Sequence, residues 1–190
     1  MHGWTGDERS MRQFTHNLPS DYAIIAPRAP YQARADKGGY SWRKVKPDTW
    51  GSPTLSELHL SADNLVSLVD NWLASVKIAS ASFDVIGFSQ GGALALTLAA
   101  LYPKRVNKIA VLSGFVPRGV DEILRPKLLN HIRFFWAHGT EDEIISFERG
   151  LDSINLVKNS GADVILCQAK TGHKVSKNCR HALSDFFNKD

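Results

Sequence analysis

Hydrophobic positions along this chain fall into two rhythms. Five short runs are almost continuously apolar: YAIIAP (22–27), FDVIGF (83–88), IAVLSGF (109–115), IRFFWAHG (132–139) and ADVILCQA (162–169). Runs of that length, bounded by proline, glycine or polar residues, predict strands buried on both faces. A second rhythm starts at Leu55, where apolar side chains recur at Leu58, Ala62, Leu65, Leu68, Val69, Trp72 and Val76. That spacing puts them on one side of a helix reaching to about residue 76. Helices are also predicted over 90–101, stopped ahead of Pro103; near 121–130; over 145–159, closed by Gly161; and over 176–187. Residues 28–54 mix proline, glycine, arginine and aromatics without a period and predict a long ordered surface loop.

The resulting order alternates strand and helix. It demands an α/β fold with a mostly parallel sheet and helices on both faces. Neither an internal repeat nor a linker interrupts it, so residues 1–190 are expected to form one domain. Ligands of such sheets gather at the carboxyl ends of the strands. The residues placed there are Ser89, then Ser113-Gly114-Phe115, then HGTED (138–142), then Thr171-Gly172-His173.

The stretch VIGFSQGGALAL (85–96) carries a G-x-S-x-G pattern at a strand-to-helix junction. Ser89 occupies its centre, so it is neither a dinucleotide fingerprint nor a phosphate loop, which would need a following Lys-Ser/Thr. A serine hydroxyl attacks at neutral pH only if a base takes its proton, and that base needs a carboxylate to fix its tautomer. Ser89, Asp142 and His173 come from three separate loops, in the chain order that a nucleophile elbow of this kind begins. They are the expected nucleophile, orienting acid and base. Glu141 is the only neighbouring rival to Asp142, and it ranks second. His138, at a strand end before a glycine, is the expected structural histidine; His16, His59, His131 and His181 are expected on the surface. Negative charge on the attacked carbonyl oxygen calls for preset N–H donors. Gln90, at the start of its helix, supplies one, and the HGWTGD loop (2–7) supplies the second through Trp4.

Composition narrows the function without naming it. At 190 residues, 43% hydrophobic and 22% charged, the chain is an ordinary globular protein with room for a substantial core. No apolar run approaches the roughly 18–20 residues a bilayer span requires. The opening MHGWTGDERS lacks the basic-then-apolar pattern of a secretory leader, which predicts a cytoplasmic protein. The net charge of +4 comes partly from Arg43, Lys44 and Lys46 and from Lys104, Arg105 and Lys108. These short groups lack interleaved aromatics and predict a solvated face, so no nucleic acid partner is expected. Cys167 and Cys179 match neither a zinc ribbon nor a redox pair, so they are expected as free buried thiols. Neither a metal nor a cofactor is called for.

Taken in order, several segments resemble the phospholipase/carboxylesterase family of α/β-hydrolases, which includes the acyl-protein thioesterases. They are HGWTGD (2–7), APRAP (26–30), GGYSW (38–42), GFSQGGALAL (87–96), LSGFVP (112–117), HGTED (138–142) and GH (172–173). The resemblance implies a serine hydrolase that cleaves carboxylic esters, or thioesters, through an acyl-enzyme, with a small-molecule ester as its partner. It implies the same roles for Ser89, Asp142, His173, Trp4 and Gln90, and it places Trp42 and Phe115 along the acyl pocket. It also exposes a departure. The family sets a buried strand directly before its His-Gly loop, and here the N-terminal strands are missing. Either the natural chain begins further upstream, the reading we favour, or YAIIAP pairs directly with FDVIGF. If the short form is real, the Trp4 loop loses its anchor. The alternative function is then a catalytically impaired, hydrolase-fold binding protein.

Overall fold

The computed structural model describes residues 1–34, 38–44 and 51–188. In chain order the elements are α1 (Arg12–Thr15), β1 (Tyr31–Gln32), β2 (Tyr40–Ser41), α2 (Leu55–Ser75), β3 (Phe83–Phe88), α3 (Gln90–Leu101), β4 (Val106–Leu112), β5 (Arg133–Gly139), α4 (Phe147–Asn159), β6 (Asp163–Ala169) and α5 (Lys177–Asn188). β1 and β2 form a short antiparallel hairpin inside the stretch expected as loop.

β3, β4, β5 and β6 make one sheet in that spatial order, parallel at every pairing. β4 and β5 are apolar because both of their faces are covered, whereas β6, at the sheet's edge, leaves Ile165 and Leu166 exposed. On one face Val85, Ile109, Val111, Phe134 and Trp136 pack with Ala95 and Ala99 of α3 and with Ile154 and Val157 of α4. On the other, Ala110, Leu112, Phe135 and Ala137 meet Cys179, Leu183, Phe186 and Phe187 of α5, together with Met11 and Phe14 around α1. α3 lies between the sheet and α2, so nearly all of its residues are buried; its Ala/Leu sequence is apolar all round for that reason. α2 starts from a capping box in which Thr54 Oγ1 accepts from the N–H of Glu57 while the Glu57 carboxylate accepts from the N–H of Thr54. Among the described residues, no helix is long and apolar enough to cross a membrane.

Four expectations are corrected. The IAVLSGF strand begins earlier and ends earlier, at Val106–Leu112. No helix forms near 121–130; that segment is a series of turns. Pro126 supplies no N–H there and restricts Arg125 before it, while the buried Leu129 and Ile132 tie the turns to the core. YAIIAP (22–27) is not a buried strand: it pairs with nothing in the sheet, and Ile24 is 51% exposed. Composition supplied the apolar residues, but a strand needs a neighbour. The β3 edge that could serve is taken by Met1, whose amine donates to Ile86 O at 2.5 Å and whose carbonyl accepts from Phe88 N at 3.1 Å. Beyond Met1 an apolar groove of about 680 Å³ separates β3 from residues 23–27, with Leu68, Val69 and Trp72 of α2 on its wall. Direct pairing of YAIIAP with FDVIGF therefore does not occur. Finally, Cys167 and Cys179 are not free thiols; they form a disulfide between β6 and α5. Twelve residues separate them in sequence, but the strand-to-helix return brings the two positions together.

Candidate active site

Ser89 stands at the junction of β3 and α3 with φ 53° and ψ −115°, a backbone conformation that side-chain-bearing residues rarely adopt. Two neighbouring glycines make it possible. A Cβ on Gly87 would lie 2.2 Å from Gly91 O, and a Cβ on Gly91 would lie 2.3 Å from Met1 O. The serine is pinned by its own backbone: its N–H donates to Leu112 O at 2.8 Å, and its carbonyl accepts from Ala93 N at 3.1 Å. Its side chain is left half-buried at the carboxyl end of the sheet.

Asp142 follows β5 and is buried. Its Oδ1 accepts the N–H groups of Ile144 and Ile145 at 3.0 and 2.9 Å, which fixes the carboxylate plane. His173, on the loop after β6, brings Nδ1 to 2.8 Å from Oδ2 and 3.1 Å from Oδ1. Because a carboxylate only accepts, Nδ1 carries the proton and Nε2 is left free to take one. Glu141 is exposed, with Lys170 Nζ 3.7 Å away. Thr171 O accepts from Glu141 N at 3.1 Å, so the acid and histidine loops are tied together through their backbones. The His173 ring lies 5.0 Å from the ring of Phe88, the residue before Ser89. Among the described residues no hydrogen bond joins Ser89 to His173; the structure brings acid and imidazole into contact, and the residue before Ser89, Phe88, meets the imidazole ring.

His138 is buried within this arrangement. Its Nδ1 accepts from the Trp136 indole at 3.4 Å and its Nε2 donates to Ile145 O at 2.9 Å, so it braces the turn that holds Asp142. His16, His59, His131 and His181 are all exposed.

The 2–7 loop lies across the start of α3. Gly3 faces Ser89 so closely that an added Cβ would stand 3.3 Å from the serine Cβ. Its anchors are internal to the fold. His2 Nε2 accepts from Ala29 N at 3.1 Å, and His2 O accepts from the Trp42 indole at 2.8 Å. Thr5 N donates to Tyr40 O at 3.0 Å, and Tyr40 N donates to Gly6 O at 2.9 Å. Burial lowers the pKa of His2, favouring the neutral ring that both accepts from Ala29 and donates from Nδ1 to Gly3 O. The expectation that this loop lacks an anchor is thereby corrected. A cavity of about 190 Å³ opens on its far side, walled by Gly3, Trp4, Met11, Phe14 and Phe88.

Two contributors escaped the sequence reading. The Gln90 side chain is buried; its Oε1 accepts from Trp42 N at 3.0 Å and its Nε2 donates to Ser41 Oγ at 3.0 Å, fastening the β2 segment to the elbow. His2 was read only as part of a loop. The signal for Gln90 was available: a polar residue opening an otherwise apolar, buried helix needs partners. Trp42 and Phe115 are each 2% exposed and belong to the core cluster with Leu58, Leu94 and Leu98. The Arg149 guanidinium lies 3.7 Å above the Phe115 ring, its pKa lowered by burial and by the nearby Arg118.

Known proteins resemble this chain in sequence and in fold. The sequence profile of the phospholipase/carboxylesterase family matches residues 1–190. Carboxylesterase SOBER1 of Arabidopsis thaliana is 32% identical over 181 residues, covering 90% of this chain and 78% of its own. Acyl-protein thioesterase 1 of Debaryomyces hansenii is 30% identical over 148 residues, covering 72% of this chain but only 62% of its own. The crystal structure of SOBER1 superposes with a TM-score of 0.80 at 25% identity, over 98% of this chain and 94% of that one. A parallel sheet, a strained serine at its edge and a profile match from end to end lead to one assignment: this chain is an α/β-hydrolase of the phospholipase/carboxylesterase family.

Proposed function

We propose that the protein is a serine hydrolase that cleaves carboxylic esters, and thioesters with them, through a covalent acyl-enzyme. The observation that carries this reading is the hydrogen-bonded Asp142–His173 pair at the same end of the sheet as the strained Ser89, with the His173 ring 5.0 Å from the ring of the adjoining Phe88. In this reading His173 Nε2 takes the proton of Ser89 Oγ as the oxygen attacks the substrate carbonyl. Asp142 holds the imidazole in the tautomer that can accept it. The N–H groups of Gln90 and Trp4 receive the developing oxyanion. The protonated imidazole then gives its proton to the departing alcohol or thiol, and water repeats the cycle on the acyl-serine. In this reading Trp42 and Phe115 border the acyl pocket.

Relatives named as carboxylesterase and as acyl-protein thioesterase support the substrate class. A second reading, a hydrolase-fold binding protein without turnover, draws on the missing Ser89–His173 hydrogen bond. Such bonds commonly tighten only when substrate arrives, so the catalytic reading stands first. The deciding experiment pairs a fluorophosphonate probe with a p-nitrophenyl ester series of increasing acyl length. The probe is expected on Ser89, and Ser89→Ala should abolish both labelling and hydrolysis while leaving the fold intact. Folded protein that neither labels nor turns over any ester would establish the binding reading instead.

A further inference from the structure

The disulfide closes a specific piece of chain. Cys167 lies two residues before the end of β6, Cys179 in the first turn of α5, and His173 stands midway between them. The segment between the two sulfurs has two kinds of support. On its N-terminal side, Ala169 O and Thr171 O accept from Thr140 N and Glu141 N, which ties it to the loop that carries Asp142. Among the described residues its C-terminal side has no such backbone tie to the acid loop. There Val175 is buried among Cys179, Leu183 and Phe135, and Ser176 Oγ accepts from Cys179 N at 3.2 Å. These contacts hold the imidazole's C-terminal flank only as long as the first turn of α5 is itself fixed against β6. Beside the packing of Leu183, Phe186 and Phe187 farther along the helix, the Cys167–Cys179 bond is a direct link between that first turn and β6.

We infer that the Cys167–Cys179 cystine is a positioning element for the catalytic base: it closes the loop that presents His173 to Asp142 and to the ring of Phe88. The inference rests on the reading of His173 as base. Cys167 is half-buried and open to a small thiol, whereas Cys179 is 2% exposed. A dithiol reductant attacks one sulfur through its thiolate. The Sγ–Sγ bond breaks, the two cysteines take up two electrons and two protons, and the reductant closes to its own disulfide. The core clusters on both sheet faces stay in place, but the return from β6 into α5 is freed to shift. A displacement of about 1 Å at a catalytic group is enough for a loss of roughly a hundredfold.

The test compares oxidised protein, protein reduced with a dithiol and then freed of reductant under argon, and the Cys167→Ser/Cys179→Ser double variant. Hydrolysis of p-nitrophenyl butyrate and the rate of fluorophosphonate labelling at Ser89 are followed at each state, with circular dichroism as the check on folding. Reduction is expected to lower kcat by about ten- to a hundredfold with KM held within about twofold, and the labelling rate should fall in step. Oxidised glutathione should restore the parent protein, while the double variant stays at the reduced level whatever the redox state. Equal kcat and equal labelling in folded oxidised and reduced protein would overturn the cystine's role alone. Outright unfolding on reduction would also overturn it, since the bridge would then be a staple for the whole fold. Oxidised protein that does not label at Ser89 would remove the triad and this inference together.

Discussion

Replacing Gly91 by alanine tests the seat of the 2–7 loop more directly than any change to the loop itself. Gly91 lies in the first turn of α3, where alanine would ordinarily strengthen the helix by about 0.5–1 kcal/mol. Its new methyl group would stand 2.3 Å from Met1 O and 2.7 Å from His2 O. Ordinary van der Waals separation begins at about 3.5 Å, so the backbone must retreat by roughly 1 Å, and no flexible side chain is there to yield. The anchored loop would move with it, taking Gly3 away from Ser89 and, in the proposed mechanism, the Trp4 N–H away from the oxyanion. Loss of one such donor costs about a hundred- to a thousandfold in kcat, or roughly 3–4 kcal/mol of transition-state stabilisation. The assay is kcat and KM on p-nitrophenyl butyrate, with urea unfolding as the parallel measure of stability. The expected pattern is a large loss of kcat in a protein that still unfolds cooperatively. A folded variant with kcat within threefold of the parent would refute the argument. It would show that the loop's place on α3 does not set the oxyanion site.

Asp142→Asn keeps an acceptor for the Ile144 and Ile145 N–H groups but presents an amide N–H to His173 Nδ1, so the proton moves to Nε2, where it blocks the base. We expect kcat to fall by about a thousand- to ten-thousandfold with little change in Tm; a loss under tenfold would hand the acid's role to Glu141. A different readout concerns the Met1 amine, whose pKa burial lowers from 8.0 to about 5. Between these values the unfolded chain holds a proton that the folded chain has lost, so stability should climb as pH rises from 5 to 8 and level off above. The span is about 4 kcal/mol, measured by urea unfolding across that range. Acetylating Met1, which keeps an N–H for Ile86 O, should flatten the curve; an unchanged slope would show that other groups produce it.

The central strands were legible because burial on both faces leaves little room for polar residues: FDVIGF matches β3 residue for residue. Helix α3 was legible for the same reason. YAIIAP carried an equally apolar signal and misled, because pairing is a property of the neighbour and not of the run itself. The 121–130 segment misled because its apolar residues answer to core contacts at Leu129 and Ile132 rather than to a helical period. At the site, the need for a base and an orienting acid pointed to His173 and Asp142, which the fold brings into contact. The contacts that hold the site were not legible. Gln90's side-chain bonds to Ser41 and Trp42, His2's pair and the Cys167–Cys179 link all join positions far apart in sequence or turned toward each other only by the fold.

The sheet's sequential order also sets a distance problem. β3 and β6 are three places apart, which at about 4.8 Å per step separates their ends by roughly 14 Å. Yet the ring of His173, carried after β6, comes to 5.0 Å from the ring of Phe88 on β3. The chain covers this gap by leaning back across the end of β5, where Gly139 leaves space: a Cβ there would meet Thr171 O at 2.1 Å. The stretch from Ala169 to His173 is thus a ruler. Removing one residue from it shortens its span by up to about 3.5 Å, enough to strand the imidazole over β5 while every strand pairing survives. Such a protein would keep its sheet while the imidazole lost its place against Asp142, so the length of this span, more than that of any outer loop, sets where His173 arrives.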